Sequence, residues 1–488
     1  MGNFESKRVL IFGIGLVLVG CGGSDGATDT SQTPPPAATA KTTVGQITGF
    51  GSIYVNGVEY DTTGAIYDVD DAAETSDTAL AVGMVVKVQG SVSADGRTGQ
   101  AQSVSYDDDV EGVVENLVPD PSDQNIKTFE ILGITVLADA NSTNFEAEDD
   151  PAFSFDTIMD GDNVEVSGEF SNDVLLASYV EKQDAADNDF EARGFVTQYN
   201  GSDQFVLVQN NDATLDVTVA SGAVVSPSGI MDGQYVEVEG TIPDPVNAPG
   251  SLLANKVELE DDDRIDDDDI DEVEIKGTLD YDIDTESWSV MDVALEFNDA
   301  TEYSPESLAD AIADQSADGR YVEVEGTYEN DVLVVREIEL EEDDLELNGN
   351  VEAIAATGAR DGTLTLSFGA AIGTVDVVVT PDTMFLDDEA TNHFDLNNVM
   401  TGDKIEIDAR IGDNGTIYAS TLHIEDDPGN EIEGPLEAID EVSATVVGIE
   451  FGIDAGTMFD NGMPVVGDDV EIEDHDEDGI ADLVSLDD

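Results

Sequence analysis

One short motif recurs six times along this chain, and its spacing constrains the fold more than any other feature. Each copy has a glycine, a short lead-in, an alternation of Val or Ile with an acidic residue, a turn and an apolar run ending in acids. Neighbouring anchor glycines lie 65–86 residues apart, at Gly83, Gly161, Gly233, Gly319, Gly402 and Gly467. Stacked solenoids repeat every ~20–50 residues. The longer, uneven steps therefore predict small domains in tandem.

The fourth repeat shows the predicted order of elements most clearly. Residues Glu272–Leu279 alternate acidic and apolar side chains, as a half-buried strand does. Ser304-Pro305-Glu306 has the residues typical of a helix start, and strands follow at Tyr321–Gly326 and Val332–Leu340. The order is three strands, a short helix and two strands, which an OB-type barrel requires. We predict an all-β fold: a tandem array of about six small OB-like five-stranded barrels, some with a short helix between strands three and four.

Short hairpins support this interpretation in the other repeats. Asn56-Gly57 lies between two apolar runs and is a strong signal for a two-residue turn, because both residues must adopt positive φ. Gly133 separates two similar runs in the second repeat. We place the repeats at 44–109, 110–183, 190–262, 271–343, 345–427 and, shortened, 431–488.

The N-terminus has the features of an export signal. Lys7 and Arg8 precede the apolar run Val9–Val19, which is short for a membrane-spanning helix. Leu18-Val19-Gly20-Cys21 resembles a bacterial lipobox, in which the cysteine is lipidated. We therefore expect a signal peptide at 1–20, lipidation of Cys21, and a disordered tether over 21–43. In similar lipoproteins the absence of Asp after the cysteine favours the outer membrane, and here Gly22 follows.

Cysteine and charge limit the classes of partner. Cys21 is the chain's only cysteine, so the mature protein has no intramolecular disulfide. The chain carries 111 acidic and 16 basic residues, for a net charge of −95. Nucleic-acid binding requires basic side chains that replace counterions on phosphates, so we expect no nucleic-acid partner. We expect membrane attachment through the lipid anchor and a protein or polysaccharide partner in the cell envelope.

The first repeat also resembles a known family. Gly49-Phe50-Gly51-Ser52-Ile53 and Val55-Asn56-Gly57 are similar to the bacterial family called domain of unknown function 5666, whose members occur singly or in tandem on exported lipoproteins. The later repeats keep mainly the Gly-x-x-Val-Glu-Val-x-Gly motif. The resemblance implies a scaffold and a location, and it implies no activity.

One motif has the spacing of a calcium loop. Asp474, Asp476 and Asp478 occupy alternate positions before Gly479, and Asp482 follows. Calcium is the one cofactor that the sequence suggests, and these four aspartates are the candidate ligands. The alternative interpretation is a plain turn between the last two strands.

Other acidic runs are expected to be solvated linkers. They are Asp107–Asp109, Asp261–Asp263 with Asp266–Asp269, Glu341–Asp344 and Glu425–Asp427.

We find no set of residues typical of catalysis. His393, His423 and His475 are isolated from any nucleophile in the sequence, and no phosphate loop or metalloprotease motif occurs. The aromatic residues Phe50, Tyr54 and Tyr60 could line a ligand surface or pack in a core. We expect a non-catalytic binding or assembly module, with rigidity that depends on divalent cations. The alternative is a structural or adhesive spacer without a specific ligand.

Overall fold

The computed structural model describes residues 38–486 apart from 71, 75, 95, 122–123, 148–149, 151, 184–189, 212, 227–228, 244–249, 261–264, 266–271, 284, 331, 342–344, 370–371, 387–393, 413–414, 425–428, 441 and 461. The expected signal peptide, Cys21 and His393 lie outside the described residues. The first strand begins at Thr39, inside the range 21–43 that we assigned to the tether. Within the described residues, no helix has the length and apolar character needed to cross a bilayer.

The described part of the chain is built almost entirely of strands. Repeat 1 contains β1 Thr39–Gly49, β2 Ile53–Val55, β3 Val58–Asp61, β4 Ile66–Val69, β5 Ala72–Glu74, a 3-10 helix Asp77–Ala79, β6 Val85–Val92 and β7 Thr98–Tyr106. Repeat 2 contains β8 Val110–Val113, β9 Glu115–Pro119, β10 Ile126–Ile131, β11 Ile134–Asp139, β12 Asn144–Glu146, β13 Asn163–Ser171 and β14 Val174–Lys182. Repeat 3 contains β15 Phe190–Thr197, β16 Gln204–Val208, β17 Thr214–Ser226, β18 Tyr235–Thr241 and β19 Ser251–Leu259.

The second half of the chain continues in the same way. Repeat 4 contains β20 Glu272–Asp282, β21 Ser287–Val290, β22 Val293–Glu296, β23 Glu302–Ser304, helix α1 Leu308–Asp314, β24 Arg320–Tyr328 and β25 Leu333–Leu340. Repeat 5 contains β26 Leu345–Ala356, β27 Gly362–Ser367, β28 Thr374–Val379, β29 Met384–Leu386, β30 Lys404–Ile411, β31 Ile417–Ala419 and β32 Thr421–Ile424. Repeat 6 contains β33 Asn430–Ile439, β34 Ser443–Val446, β35 Ile449–Gly452, β36 Met458–Asp460, β37 Asp469–Asp474 and β38 Leu483–Leu486.

Strand pairing closes each repeat on itself. In repeat 4, β20 pairs with β21, β21 with β22, and β22 runs parallel to β25. Strand β25 then pairs with β24, which returns to β20 and completes a five-stranded barrel. Repeat 1 follows the same order through β1, β2, β3, β7 and β6. In repeat 6 an isolated bridge between Gly452 and Ile480 makes the corresponding parallel link.

Local turn chemistry explains the hairpins inside the repeats. Asn56 and Gly57 have φ values of 47° and 72° between β2 and β3, as the sequence predicted. Leu132 and Gly133 form the equivalent turn in repeat 2, with φ values of 51° and 88°. Both pairs have the positive φ values that a tight two-residue hairpin requires.

The helix of repeat 4 begins later than expected. Helix α1 follows Ser307, and its buried face carries Leu308 and Ile312, which are four residues apart. The predicted start at Ser304 is wrong because Glu302–Ser304 is extended and runs parallel to β25.

The anchor glycines hold each repeat together. All six adopt φ values between 84° and 97°, a region in which a side chain is strained. Each backbone N–H donates to a carbonyl of the first strand of its repeat at 2.8–2.9 Å, from Gly83 to Ile47, Gly161 to Val114, Gly233 to Val196, Gly319 to Leu279, Gly402 to Val351 and Gly467 to Leu436. The glycine of the repeated motif therefore attaches the fourth strand of each repeat to its first strand.

The repeats associate in pairs that share a sheet: 1 with 4, 2 with 3, and 5 with 6. In each repeat, one edge of the N-terminal half of the first strand pairs with the fourth barrel strand, as β1 pairs with β6. The other edge of that half would leave its backbone N–H and C=O groups unpaired. The partner's first strand covers that edge. Strands β1 and β20 pair in parallel, whereas β8–β15 and β26–β33 pair antiparallel.

The apolar cores follow this pairing. Repeats 2 and 3 share one buried cluster and repeats 5 and 6 share another. Repeats 1 and 4 have a cluster each, and Val44 and Val85 of repeat 1 pack in the cluster of repeat 4. Trp288 lies in the core of repeat 4. Residues 38–488 form one compact unit.

Candidate functional site

A cavity of about 280 Å³ lies where repeats 1, 2, 4 and 5 meet. Its lining residues come from all four repeats: Gln46, Thr48, Asn56, Ser142, Glu169, Leu176, Ala177, Ser178, Lys276, Thr278, Tyr321, Glu341, Asp382, Met384, Ser420 and Thr421. Most of these residues are polar; some lie on strands, and others, such as Ser142 and Asp382, lie in turns between strands. No single repeat builds this site.

Lys276 is the central charge of the cavity. It projects from β20, is 9% exposed, and its ammonium contacts Glu341 Oε2 at 2.8 Å and the carboxylate of Asp382. Burial alone lowers the pKa of Lys276, but Asp382 and Glu341 outweigh it and hold the pKa well above its ordinary value. Arg410 adds a second contact to Glu341 at 3.2 Å. The cation joins repeat 4 to repeat 5.

Further hydrogen bonds across the cavity hold the other repeats in place. Glu169 of repeat 2 accepts from the Thr278 backbone N–H at 2.9 Å and from its hydroxyl at 2.6 Å. Ser178 donates to the Gly83 carbonyl at 2.6 Å and so joins repeat 2 to repeat 1. The Arg360 guanidinium donates to the Thr48 and Thr383 carbonyls between repeats 1 and 5. Burial lowers the pKa of Arg360 to about 10.

Two polar side chains that line the cavity form no such hydrogen bonds between repeats. Among the described residues, the side chains of Gln46 and Ser142 form no hydrogen bonds, while both line the cavity. Glu169, Glu341 and Asp382 outnumber the single lysine. The cavity therefore offers free donors and acceptors in a negative field.

The sequence did not predict this cavity, because the acidic residues that take part in it are buried and were expected to be solvated. Glu341 opens an acidic run that we expected to be a solvated linker, but it is 7% exposed and bonded to Lys276. Asp108 lies in another such run, yet it is buried. Burial, with Glu191 and Glu165 nearby, raises the pKa of Asp108 well above its ordinary value. The scarcity of basic residues was the usable signal, since a lysine inside a strand of an acidic chain is expected to have partners.

The aromatic residues of repeat 1 differ in their packing: Tyr60 belongs to the core of repeat 1, whereas Tyr54 packs against repeat 5. Tyr60 is fully buried and shares a hydrogen bond of 2.7 Å with Thr43. Tyr54 is 9% exposed and lies under the Arg360 guanidinium, 5.2 Å from its ring centre.

The predicted calcium loop is partly assembled. Asp474, Asp476 and Asp478 each place a carboxylate oxygen within 4.8 Å of the others. Asp482 lies outside this group, and its carboxylate accepts the His475 N–H at 3.0 Å. The structure therefore groups three of the four predicted ligands, and calcium binding by the set stays a prediction.

Asp474 has a second role in that loop. It is fully buried, and its two oxygens accept from the N–H groups of Asp478 and Gly479 at 3.2 and 3.0 Å. Burial raises the pKa of Asp474. The segment is the turn between β37 and β38, as the alternative interpretation expected. The run Asp261–Asp263 with Asp266–Asp269 lies outside the described residues.

These observations define an all-β protein of repeated, paired domains. The family with the description Domain of unknown function (DUF5666) matches residues 43–105, 111–181, 193–258, 276–339, 348–423 and 433–484, and the chain belongs to this family. No curated protein is significantly similar to the chain. A solved structure titled "drosophila Unr CSD456" is similar with 11% sequence identity and a TM-score of 0.12, over 65% of this chain and 98% of that one.

Proposed function

We propose that the protein is an exported, non-catalytic binding module of the cell envelope, and that its ligand site is the cavity between repeats 1, 2, 4 and 5. The observation that carries the proposal is a cavity built by four repeats, in which the polar side chains of Gln46 and Ser142 can still form hydrogen bonds. Ligand sites typically combine a concave surface with a few fixed polar groups.

The charges of the cavity favour a neutral, hydroxyl-rich ligand. Three carboxylates face Lys276, and Arg410 contacts one of them, so the site keeps an excess of negative charge that disfavours a phosphate or carboxylate ligand. Neutral hydroxyls can both donate and accept, which matches the amide of Gln46 and the hydroxyl of Ser142. We therefore propose a saccharide unit of an envelope polysaccharide as the ligand.

The type of barrel, the attachment to the membrane and the dependence on calcium are further parts of this proposal. The strand order of repeat 4 supports OB-like barrels, a scaffold that binds oligosaccharides in other proteins. The N-terminal sequence supports lipidation at Cys21 and attachment to the outer membrane. The grouping of Asp474, Asp476 and Asp478 supports calcium-dependent rigidity in repeat 6.

Isothermal titration calorimetry tests the ligand proposal. We expect a neutral mono- or disaccharide from a panel to bind, and glucuronic acid to bind at least tenfold more weakly. The double variant Gln46→Leu, Ser142→Ala should lose this binding, while Gln124→Leu, at an exposed turn, should retain it. If no neutral saccharide binds at millimolar concentration, the cavity is not the site and the alternative of a spacer without ligand is favoured.

A further inference from the structure

The loop before the anchor glycine of repeat 1 packs against two other repeats. Val82, directly before Gly83, is 6% exposed and lies in a small apolar cluster with Met384 and Leu386 of β29. On the side of repeat 2, the amide of Asn144 in β12 donates to the Val82 carbonyl at 2.8 Å. Strands β12 and β29 are the short strands that precede the anchor glycines of repeats 2 and 5. In this fold, therefore, the short strand of one repeat can receive the anchor loop of another.

Repeat 6 has the apolar residue that such a loop requires. Val466 directly precedes Gly467, as Val82 precedes Gly83. In the other four repeats the residue before the anchor glycine is polar: Asp160, Asp232, Asp318 and Thr401. By this criterion, repeats 1 and 6 alone have an anchor loop suited to an apolar contact.

Repeat 6 also has the short strand that receives such a loop. Strands β29 and β36 each run parallel to the last strand of their repeat, where Phe385 pairs with Leu422 and Phe459 with Val484. Met384 precedes Phe385, and Met458 precedes Phe459 in the same way. Met458 therefore occupies the position at which Met384 meets Val82.

Both sides of this contact are open to solvent in repeat 6. Val466 is 62% exposed and Met458 is 63% exposed, against 6% for Val82 and 4% for Met384. Met463, in the same segment 458–466, is 69% exposed. Single apolar residues on a surface are ordinary, whereas a group of large exposed ones indicates an interaction site.

A second copy of the chain matches this surface on both sides. Each copy offers Val466 to Met458 of the other, so the two contacts are equivalent and the assembly closes as a two-fold dimer. The loop of repeat 1 is already packed against repeat 5, and the remaining anchor loops have a polar residue at this position.

We propose that repeat 6 is a self-association surface, through which two copies of the chain form a dimer by packing Val466 of each against Met458 of the other. Asp460 stands where repeat 5 has Leu386, and the chain has a net charge of −95, so like charges oppose the association. The dimer should therefore strengthen as salt screens this repulsion. The surface is separate from the cavity between repeats 1, 2, 4 and 5, so its failure leaves the proposed ligand site untouched.

Sedimentation velocity tests the proposal on the chain from residue 22, which retains the compact unit 38–488. We expect a monomer–dimer equilibrium that shifts toward the dimer with added sodium chloride. Val466→Asp should weaken dimerisation by about tenfold or more, because the contact would bury an unpaired charge. Val224→Asp is the matched control, since Val224 holds the position of Met458 in repeat 3, is 62% exposed, and should leave the dimer unchanged.

A pair of opposite charges separates the proposed contact from general stickiness of repeat 6. Val466→Lys and Met458→Glu should each be monomeric alone, with unchanged melting temperatures. An equal mixture of the two should dimerise, because one contact then joins lysine to glutamate and the other keeps valine against methionine. A native chain that stays monomeric in high salt, a mixture that does not dimerise, or an equal effect of Val224→Asp would overturn the proposal.

Discussion

Replacing Lys276 with methionine removes the cation that joins repeats 4 and 5. The side chain of Glu341 is 5% exposed and that of Asp382 is 25% exposed, so both carboxylates stay in a poorly solvated cavity without it. Removing one partner of a buried ion pair costs about 3–5 kcal/mol. Arg410 still contacts Glu341 at 3.2 Å, and Asp382 is partly solvated. We therefore expect a loss near the low end, ~3 kcal/mol in the free energy of unfolding.

Urea denaturation followed by Trp288 fluorescence measures this loss. Trp288 is the chain's only tryptophan and lies in the core of repeat 4, so its emission reports on the repeat that contains Lys276.

A surface ion pair provides the control for Lys276→Met. Arg336 pairs with Glu325 on the same repeat, but its side chain is 53% exposed. Arg336→Met should cost no more than ~1 kcal/mol, since exposed pairs contribute little. If the two variants lose the same stability, the role assigned to Lys276 is wrong.

Two further predictions concern the scaffold. Gly168→Ala should lower the melting temperature more than Gly161→Ala, because a Cβ at Gly168 would overlap the Leu176 carbonyl, whereas the space beside Gly161 is open and only its positive φ opposes a side chain. Equal losses in thermal denaturation would contradict this. Burial, then the charge of Glu274, raises the pKa of Glu323 to about 8. A carboxyl with a raised pKa contributes stability at low pH that is lost as the pH rises through that value. Glu323→Gln should therefore match the native protein near pH 4 and exceed its stability increasingly up to pH 8; a constant difference would refute the assignment.

Local patterns were sufficient to predict most of the strands that form the barrels, but not short strands such as β23. The alternation of valine and glutamate gave the strands, and Asn56-Gly57 predicted its hairpin because few residues accept positive φ. The anchor glycines could be recognised as a repeat in the sequence, although their hydrogen bonds to the first strand could not. The family resemblance seen in the first repeat is confirmed for all six.

Long-range arrangement could not be predicted in this way. All first strands alternate similarly, so nothing local distinguishes repeat 4 from repeat 2 as the partner of repeat 1. The cavity was missed for the same reason, because its lining residues are scattered from Gln46 to Thr421. Acidic side chains look alike in a sequence of this composition, and only packing shows that Glu341 is buried while Asp478 is exposed.

The pairing of repeats 1 and 4 is the central structural claim, and an engineered disulfide tests it directly. Thr42 and Val273 are paired positions of β1 and β20. Adjacent strands lie within the Cα separation of about 4.4–6.8 Å that a disulfide spans. With Cys21 changed to serine, Thr42→Cys, Val273→Cys should form an intramolecular disulfide on oxidation, seen by mass spectrometry as one linked pair of peptides. Free thiols in the oxidised monomer, or disulfides only between molecules, would contradict the shared sheet.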